Sequence, residues 1–305
     1  MQSPSELGDR LHEALFNSKK KEKEVIEIIS NTDLPTRLSI AQYYETAYGN
    51  KLQDDLNKKL SSKFRDLVID LFLSPTDLDV EIIKRAVKGF GVTEVPIVEI
   101  LTSRPKWMID DLKVAYKNNT GKELSQDLEK KFSGNLKRNI LTLLNTDRSN
   151  NTQPNKSECE NDSEILKKNK ESSWFDDQKI FDNIFAKKSG EELVIIARYY
   201  FKKTGTALCD VINKKFSGKN KNVMNEILYN IINPSEMFAD KINSALKGLG
   251  TDTNTLNRIL ATRNEIDMID IREIYFIKYN KKLVDAIKSD TSGDYQTLCV
   301  YLCEK

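Results

Sequence analysis

Apolar residues recur along this chain at intervals of three and four positions. Leu256, Ile259 and Leu260 form one stripe, Met268, Ile271 and Tyr275 a second, Leu283 with Ile287 a third, and Leu298 with Leu302 a fourth. Such spacing returns side chains to one face of a helix with about 3.6 residues per turn. Strict apolar and polar alternation, the mark of a half-buried strand, is nowhere sustained. The pattern predicts an all-α fold built from short helices.

A repeat organises these helices. The segments YGNKLQDDLNKKLSSKF from Tyr48, NTGKELSQDLEKKFSGN from Asn119, KTGTALCDVINKKFSGK from Lys203 and YNKKLVDAIKSDTSGDY from Tyr279 share one register. Gly49, Gly121, Gly205 and Asn280 lead. Leu52, Leu124, Leu208 and Leu283 follow three positions later, and Lys59, Lys131, Lys215 and Asp290 ten positions later, at successive offsets of 72, 84 and 75 residues. Glycine and asparagine tolerate the left-handed backbone that follows a helix end, so each leading position predicts a helix stop. About five short helices fit into each unit of roughly 70 residues, more than a two-helix solenoid unit holds, which predicts a compact helical bundle per repeat. The longer middle offset is accounted for by NTDRSNNTQPNKSECEN, residues 145–161, a polar stretch with one proline and no apolar periodicity. The expected organisation is a first repeat over 1–73, a second over 74–145, a linker over 146–161, a third repeat over 162–233 and a fourth over 234–305.

Composition narrows the functional classes. With 305 residues, 39% hydrophobic and 31% charged, the chain can bury a sizeable core. A formal net charge of +2 supplies no global field to recruit nucleic acid. The first residues, MQSPSELGDRLHEALF, lack the basic flank and apolar stretch of a secretory leader, and no run of 18 apolar residues occurs, so the expectation is a cytoplasmic protein that does not span a membrane. Cys159, Cys209, Cys299 and Cys303 are too sparse for a disulfide scaffold and lack zinc-type spacing, so reduced thiols are expected. Cys299 and Cys303, four apart on one helix face, read as small buried hydrophobes. The single histidine, His12, reads as a surface residue, and without a second one neither a zinc-protease motif nor a histidine triad is available. No phosphate-binding GxxxxGK[ST] loop is present, and an enzyme is not expected.

Lys247-Gly248-Leu249-Gly250-Thr251-Asp252 interrupts helical periodicity, with Thr251 or Asp252 able to cap the helix that follows, and Lys88-Gly89-Phe90-Gly91-Val92-Thr93 stands in the same register 159 residues earlier. Two glycines around one hydrophobic residue expose carbonyl oxygens. Asp290 lies 42 residues beyond Gly248 in a second loop, SDTSGD, that could fold back beside the first. Hard cations such as calcium bind oxygens of this kind. A plain helix stop with Asp290 or Ser292 as a helix cap would account for the same residues without an ion.

The run KGLGTD, followed by RNEIDMIDIRE and KSDTSGDYQTLCVYLC, resembles the fourth repeat of the annexin family, and the likeness extends over essentially the whole chain. The resemblance implies four five-helix repeats forming a curved disc, with calcium on the convex face joining the protein to acidic phospholipid. Carried over residue by residue, it implies calcium held by the carbonyls of Leu246, Gly248 and Gly250 and by the Asp290 carboxylate. Val87, Gly89 and Gly91 would form a weaker site. Arg104, Lys188 and Arg263 match the family's basic residue on the second helix and read as structural; Thr32 replaces it in the first repeat.

Departures from the family pattern shape the rest of the expectation. Lys59, Lys131 and Lys215 occupy the acid position of the first three repeats, and an ammonium offers a cation no acceptor. The first and third repeats also lack the glycines, with Asn17-Ser18-Lys19 and Ser173-Trp174-Phe175 at those places. On this resemblance the lysines, with Lys19, Lys20 and Lys21, would share the convex face and attract an anionic leaflet, each contributing about 1 kcal/mol before screening; ordinary solvated lysines in a lysine-rich chain are the alternative. Phe90, Trp174 and Leu249 fall between the glycine places and are candidate membrane wedges, with packing into the third repeat's own core as the alternative for Trp174. The expected activity is calcium-dependent peripheral binding to acidic phospholipid by a protein that is monomeric in solution and can assemble on the membrane. The alternative is a cytoskeleton-associated scaffold resembling the giardins, with largely vestigial calcium binding.

Overall fold

The computed structural model describes residues 2–88, 93–248 and 250–305. Among them the regular structure is helical throughout, and the chain divides into two compact units, Met1–Leu78 with Ser235–Lys305, and Asp79–Pro234.

The helix stops fall where backbone chemistry puts them. Gly49, Gly121 and Gly205 each take φ +71° and Asn280 φ +50°, and each donates its N–H to the carbonyl four residues back, at 2.8 to 3.0 Å. A helix of eight residues follows each stop: Leu52–Lys59, Leu124–Lys131, Leu208–Lys215 and Leu283–Asp290. All four leading leucines are buried, so the shared register is the register of the core. Asp290, expected in a loop, is instead the last residue of its helix.

In the first unit, Pro4–Asn17, Lys21–Ser30, Leu34–Tyr48, Leu52–Lys59 and Ser62–Leu71 pack with Pro234–Ala245, Thr253–Arg263, Met268–Tyr279, Leu283–Asp290 and Gly293–Glu304. Polar ties join the two sets of helices. The Arg37 guanidinium donates to the carbonyls of Leu71 and Thr32 and to Glu265, the Leu34 N–H donates to the same carboxylate, and the Tyr301 hydroxyl donates to the Ser30 carbonyl.

In the second unit, Asn230 donates to the Glu99 carbonyl at 3.0 Å and to the Thr102 hydroxyl at 2.6 Å, tying the helices Gly218–Ile232 and Val95–Ser103. The polar stretch after Asn145 is non-helical only as far as Asn155. That side chain accepts from the N–H groups of Ser157 and Glu158 and starts the helix Lys156–Lys168, so residues 156–161 are helix where a linker was expected. The stripe of this helix is Cys159, Ser163 and Leu166, too polar in composition to register as periodic. The third repeat departs from the plain five-helix pattern: Gln178–Ile180 runs into a wider π-turn over Phe181–Ala186 in place of a regular second helix.

The basic residues expected to be structural are engaged in the interior of each unit. Arg104 donates to both oxygens of Asp79 at 2.8 and 3.0 Å, and Lys188 reaches Asp162 at 2.9 Å. Arg263 pairs with Asp267 on the turn beyond its helix and lies over the Phe238 ring, 4.8 Å from its centroid. Cys299 and Cys303 are fully buried with no disulfide, and burial pushes both thiols up to about 12, so they behave as packing groups. His12 is not a free surface residue. Its ring is half-buried and stacked between Phe16 and Tyr48, with centroids at 4.6 and 3.8 Å.

Candidate functional site: the glycine corner and the end of the eight-residue helix

The helix Pro234–Ala245 ends at the residue before Leu246. Leu246 still donates to the Ile242 carbonyl, and the Asp252 N–H returns to the Ala245 carbonyl at 2.9 Å, which brings Asp252 back to the helix end. Gly250 sits at φ +90°, where a side chain would be strained, and a β-carbon at Gly248 would rest 3.4 Å from the Gly250 carbonyl oxygen. The carbonyls of Leu246, Gly248 and Gly250 accept no backbone hydrogen bond among the described residues. The Asp252 carboxylate accepts from the Thr255 N–H and caps the next helix, which settles the cap on Asp252 over Thr251.

Thr251 does something the sequence reading missed. Its hydroxyl donates to the Asp290 carbonyl at 2.9 Å and so ties the glycine corner to the end of the helix Leu283–Asp290. The second end is held from behind: the Thr291 hydroxyl donates to the Ile287 carbonyl at 2.7 Å, and the Gln296 amide donates to the Lys288 carbonyl at 2.8 Å. A threonine directly after the second glycine is the signal in the sequence, and it reads equally as a helix cap.

The Asp290 carboxylate has no cap to serve. Its Oδ2 is buried and without a hydrogen-bond partner, and it stands at a helix C-terminus, where the carbonyl dipoles carry partial negative charge. Both features are unfavourable for an ionised acid, and a bound cation would relieve both. Among the described residues no three carboxylate, histidine or cysteine side chains gather, so a cation here depends on backbone carbonyls with one acid. The residues present fit calcium on donor type: hard oxygens from peptide groups plus a carboxylate oxygen with nothing else to bond.

The remaining expected positions divide. Gly89, Phe90, Gly91 and Leu249 lie outside the described residues; Val87 is buried near the end of Pro75–Lys88. Trp174 corrects the membrane-wedge expectation, because its side chain has 0% exposure. Its indole N–H donates to the Leu166 carbonyl at 3.2 Å, and its ring packs on Tyr200, Phe185 and Phe216. A ring with a satisfied N–H inside an aromatic cluster has no reason to leave for an interface. Phe175 is buried beside it, and its carbonyl accepts from Asn139. Lys131 is exposed at its helix end, Lys59 lies over the Phe16 ring at 4.1 Å, and Lys215 faces Glu171 at 3.5 Å.

A helical repeat protein with an oxygen-lined corner of this kind belongs to a recognisable class, and comparison with known proteins identifies it. The annexin family model matches residues 8–71, 78–143 and 237–302. Annexin A3 from Homo sapiens is 33% identical over 301 residues, covering 99% of this chain and 93% of that protein. Among solved structures, annexin III superposes with a TM-score of 0.93 at 32% identity, covering 100% of this chain and 94% of that one. A structure described as calcium-bound annexin (Sm)1 gives a TM-score of 0.85 at 26% identity, covering 98% and 90%. The chain is a divergent member of the annexin family. Annexins are known for calcium-dependent phospholipid binding and are generally binding proteins without enzymatic activity. No helix among the described residues is long and apolar enough to cross a membrane.

Proposed function

We propose that this protein binds acidic phospholipid surfaces peripherally and in a calcium-dependent manner, through the corner formed by Leu246, Gly248, Gly250 and Asp290. The observation that carries this reading is the orphaned Asp290 Oδ2 at a helix end that Thr251 ties to the glycine corner. The three carbonyls and the carboxylate would hold the ion, whose chemistry is to supply the positive charge that a lipid phosphate needs on its far side. Asp290 contributes the only formal negative charge to this ligand set, and ligand charge count sets calcium affinity, so the corner alone binds weakly. Lipid phosphate and ion therefore tighten each other by linkage. Leu249, between the glycines, is proposed to enter the interface. Lys131 adds attraction to an anionic leaflet; Lys59 and Lys215, already facing groups of their own repeats, add less. Val87, Gly89 and Gly91 are proposed as a weaker second site lacking an acid. The protein is proposed to be a monomer in solution that gathers on the membrane.

A second reading is favoured by one observation: three of the four eight-residue helices end in lysine instead of an acid. A scaffold of helical repeats that binds cytoskeletal protein, with one residual ion site, would look this way. Co-sedimentation with phosphatidylserine vesicles separates the two. The leading reading expects pelleting in calcium, release by chelator, and loss of most calcium-dependent pelleting in Asp290→Asn. Equal supernatant fractions in calcium and chelator would leave the scaffold reading in possession.

A further inference from the structure

The third repeat has lost both glycines and the acid, yet its corner is not empty of charge. The eight-residue helix Leu208–Lys215 ends in Lys215, whose ammonium lies 3.5 Å from Glu171 Oε2. Glu171 opens the short 3-10 turn Glu171–Ser173, which leads into Ser173-Trp174-Phe175 at the glycine places, and its other oxygen accepts from the Tyr200 hydroxyl at 3.1 Å. The fourth repeat has an acid on the helix end and neutral carbonyls on the corner. The third has the charges transposed, with a base on the helix end and an acid on the corner.

The carbonyls of this corner are also consumed internally. Lys170 accepts from the Ser173 N–H at 2.8 Å, Glu171 from the Trp174 N–H, and Ser173 from the N–H groups of Asp176 and Asp177. Trp174 is buried directly under the turn, edge-on to Tyr200 at 5.6 Å and near Phe216, the residue after Lys215. The first repeat offers an independent parallel: Lys59, at the same helix position, lies over the ring of Phe16 near the end of Pro4–Asn17. In both repeats the lysine turns toward its own corner.

We propose that Lys215 is the third repeat's resident cation, holding through Glu171 the place that a divalent ion takes in the fourth, so that this corner refuses calcium while it keeps a carboxylate able to bind it. The comparison rests on the reading of the fourth repeat given above. The pair is 53% and 34% exposed, so it adds little to fold stability; its effect is on which cation occupies the corner. Removing the ammonium frees Glu171, and placing an acid at 215 provides a second carboxylate, enough charge for a trivalent or divalent ion.

The test uses terbium luminescence excited through tryptophan. Trp107→Phe leaves Trp174 as the only donor, since the chain has two tryptophans and Trp107 is 65% exposed, and Asp290→Asn removes the fourth-repeat acid. This double variant is expected to show no saturable terbium emission. Adding Lys215→Glu is expected to create emission at least tenfold above that background, competed away by calcium, and adding Glu171→Gln as well should abolish it. Lys215→Gln, which introduces no new acid, should give a weaker signal and serves if Lys215→Glu fails to fold by circular dichroism. Saturable Trp174-sensitised emission in the parent double variant would overturn the proposal, as would emission from Lys215→Glu that is indifferent to Glu171→Gln. Because Asp290 is absent from every arm, these outcomes are independent of whether wild-type protein pellets with vesicles.

Discussion

If Asp290 is kept for an ion, it should be a burden when no ion is present, and Asp290→Lys measures that burden. In wild-type protein the carboxylate sits at the C-terminus of Leu283–Asp290 with one oxygen buried and unbonded. An acid at this end opposes the helix dipole by about 0.3–1 kcal/mol and a lysine favours it by about the same, so the swap is worth about 0.6–2 kcal/mol from the dipole alone. Removal of the orphaned oxygen adds in the same direction. The first three repeats show that the position accepts lysine, since three helices of identical length end in it. For a cooperative unit of roughly 150 residues, about 1 kcal/mol corresponds to roughly 2–4 °C in Tm.

Thermal melts followed by circular dichroism, in chelator and in millimolar calcium, read both signs at once. In chelator the variant should melt about 1–8 °C above wild type. In calcium, wild type should gain stability by linkage, about 1.4 kcal/mol when the free ion is ten times its Kd, and the variant should gain nothing. A variant that melts below wild type in chelator, or that gains as much from calcium as wild type does, would refute the reasoning, because the acid would then be serving the fold or the ion would be bound elsewhere.

Two further predictions concern the framework. Asp79→Ala takes from the buried Arg104 guanidinium the carboxylate it is bonded to, so urea denaturation should show a loss of about 3–5 kcal/mol in the second unit, whereas replacing both partners with apolar residues should cost far less. Although burial alone would raise it, the Glu265 carboxyl is held below the ordinary value of 4.5 by the Leu34 N–H, Arg37 and Lys305; the stability this gives is complete above 4.5 and lost as pH falls through the lowered value, so the Tm advantage over Glu265→Gln should shrink only on acidification below about 4.5.

The sequence made the fold legible wherever one residue type had one backbone reason to be there. Gly49, Gly121, Gly205 and Asn280 mark left-handed helix stops because few other residues tolerate that conformation, and the leucines three positions later mark the core. Legibility failed where a feature depends on partners distant in sequence. A tryptophan between two lost glycine positions reads the same whether it meets lipid or core, and only the arrival of Tyr200, Phe185 and Phe216 around Trp174 decides it. His12 likewise reads as exposed until Phe16 and Tyr48 close on its ring. The helix Lys156–Lys168 was invisible because its buried stripe includes a serine and a cysteine, and its start depends on an asparagine side chain bonding backbone two and three residues on.

The same distinction bears on the candidate site. The annexin resemblance implies that Asp290 stands at the acid position, but neither resemblance nor spacing separates an acid that caps a helix from one that waits for an ion. The separating fact is a lone pair: a capping carboxylate is bonded to backbone N–H groups, as Asp252 is to Thr255, and the buried Oδ2 of Asp290 is bonded to nothing. Where the third repeat carries Lys215 at this place, the positive charge is already covalently present and its partner acid has moved across the corner to Glu171. The four helix ends thus differ in the sign of one side chain on a common backbone. On the proposed reading, that sign, more than the loss of glycines, would decide which corners have charge left over for a metal and a lipid phosphate, because a carbonyl cage without an acid only solvates an ion, and a cage with a lysine repels one.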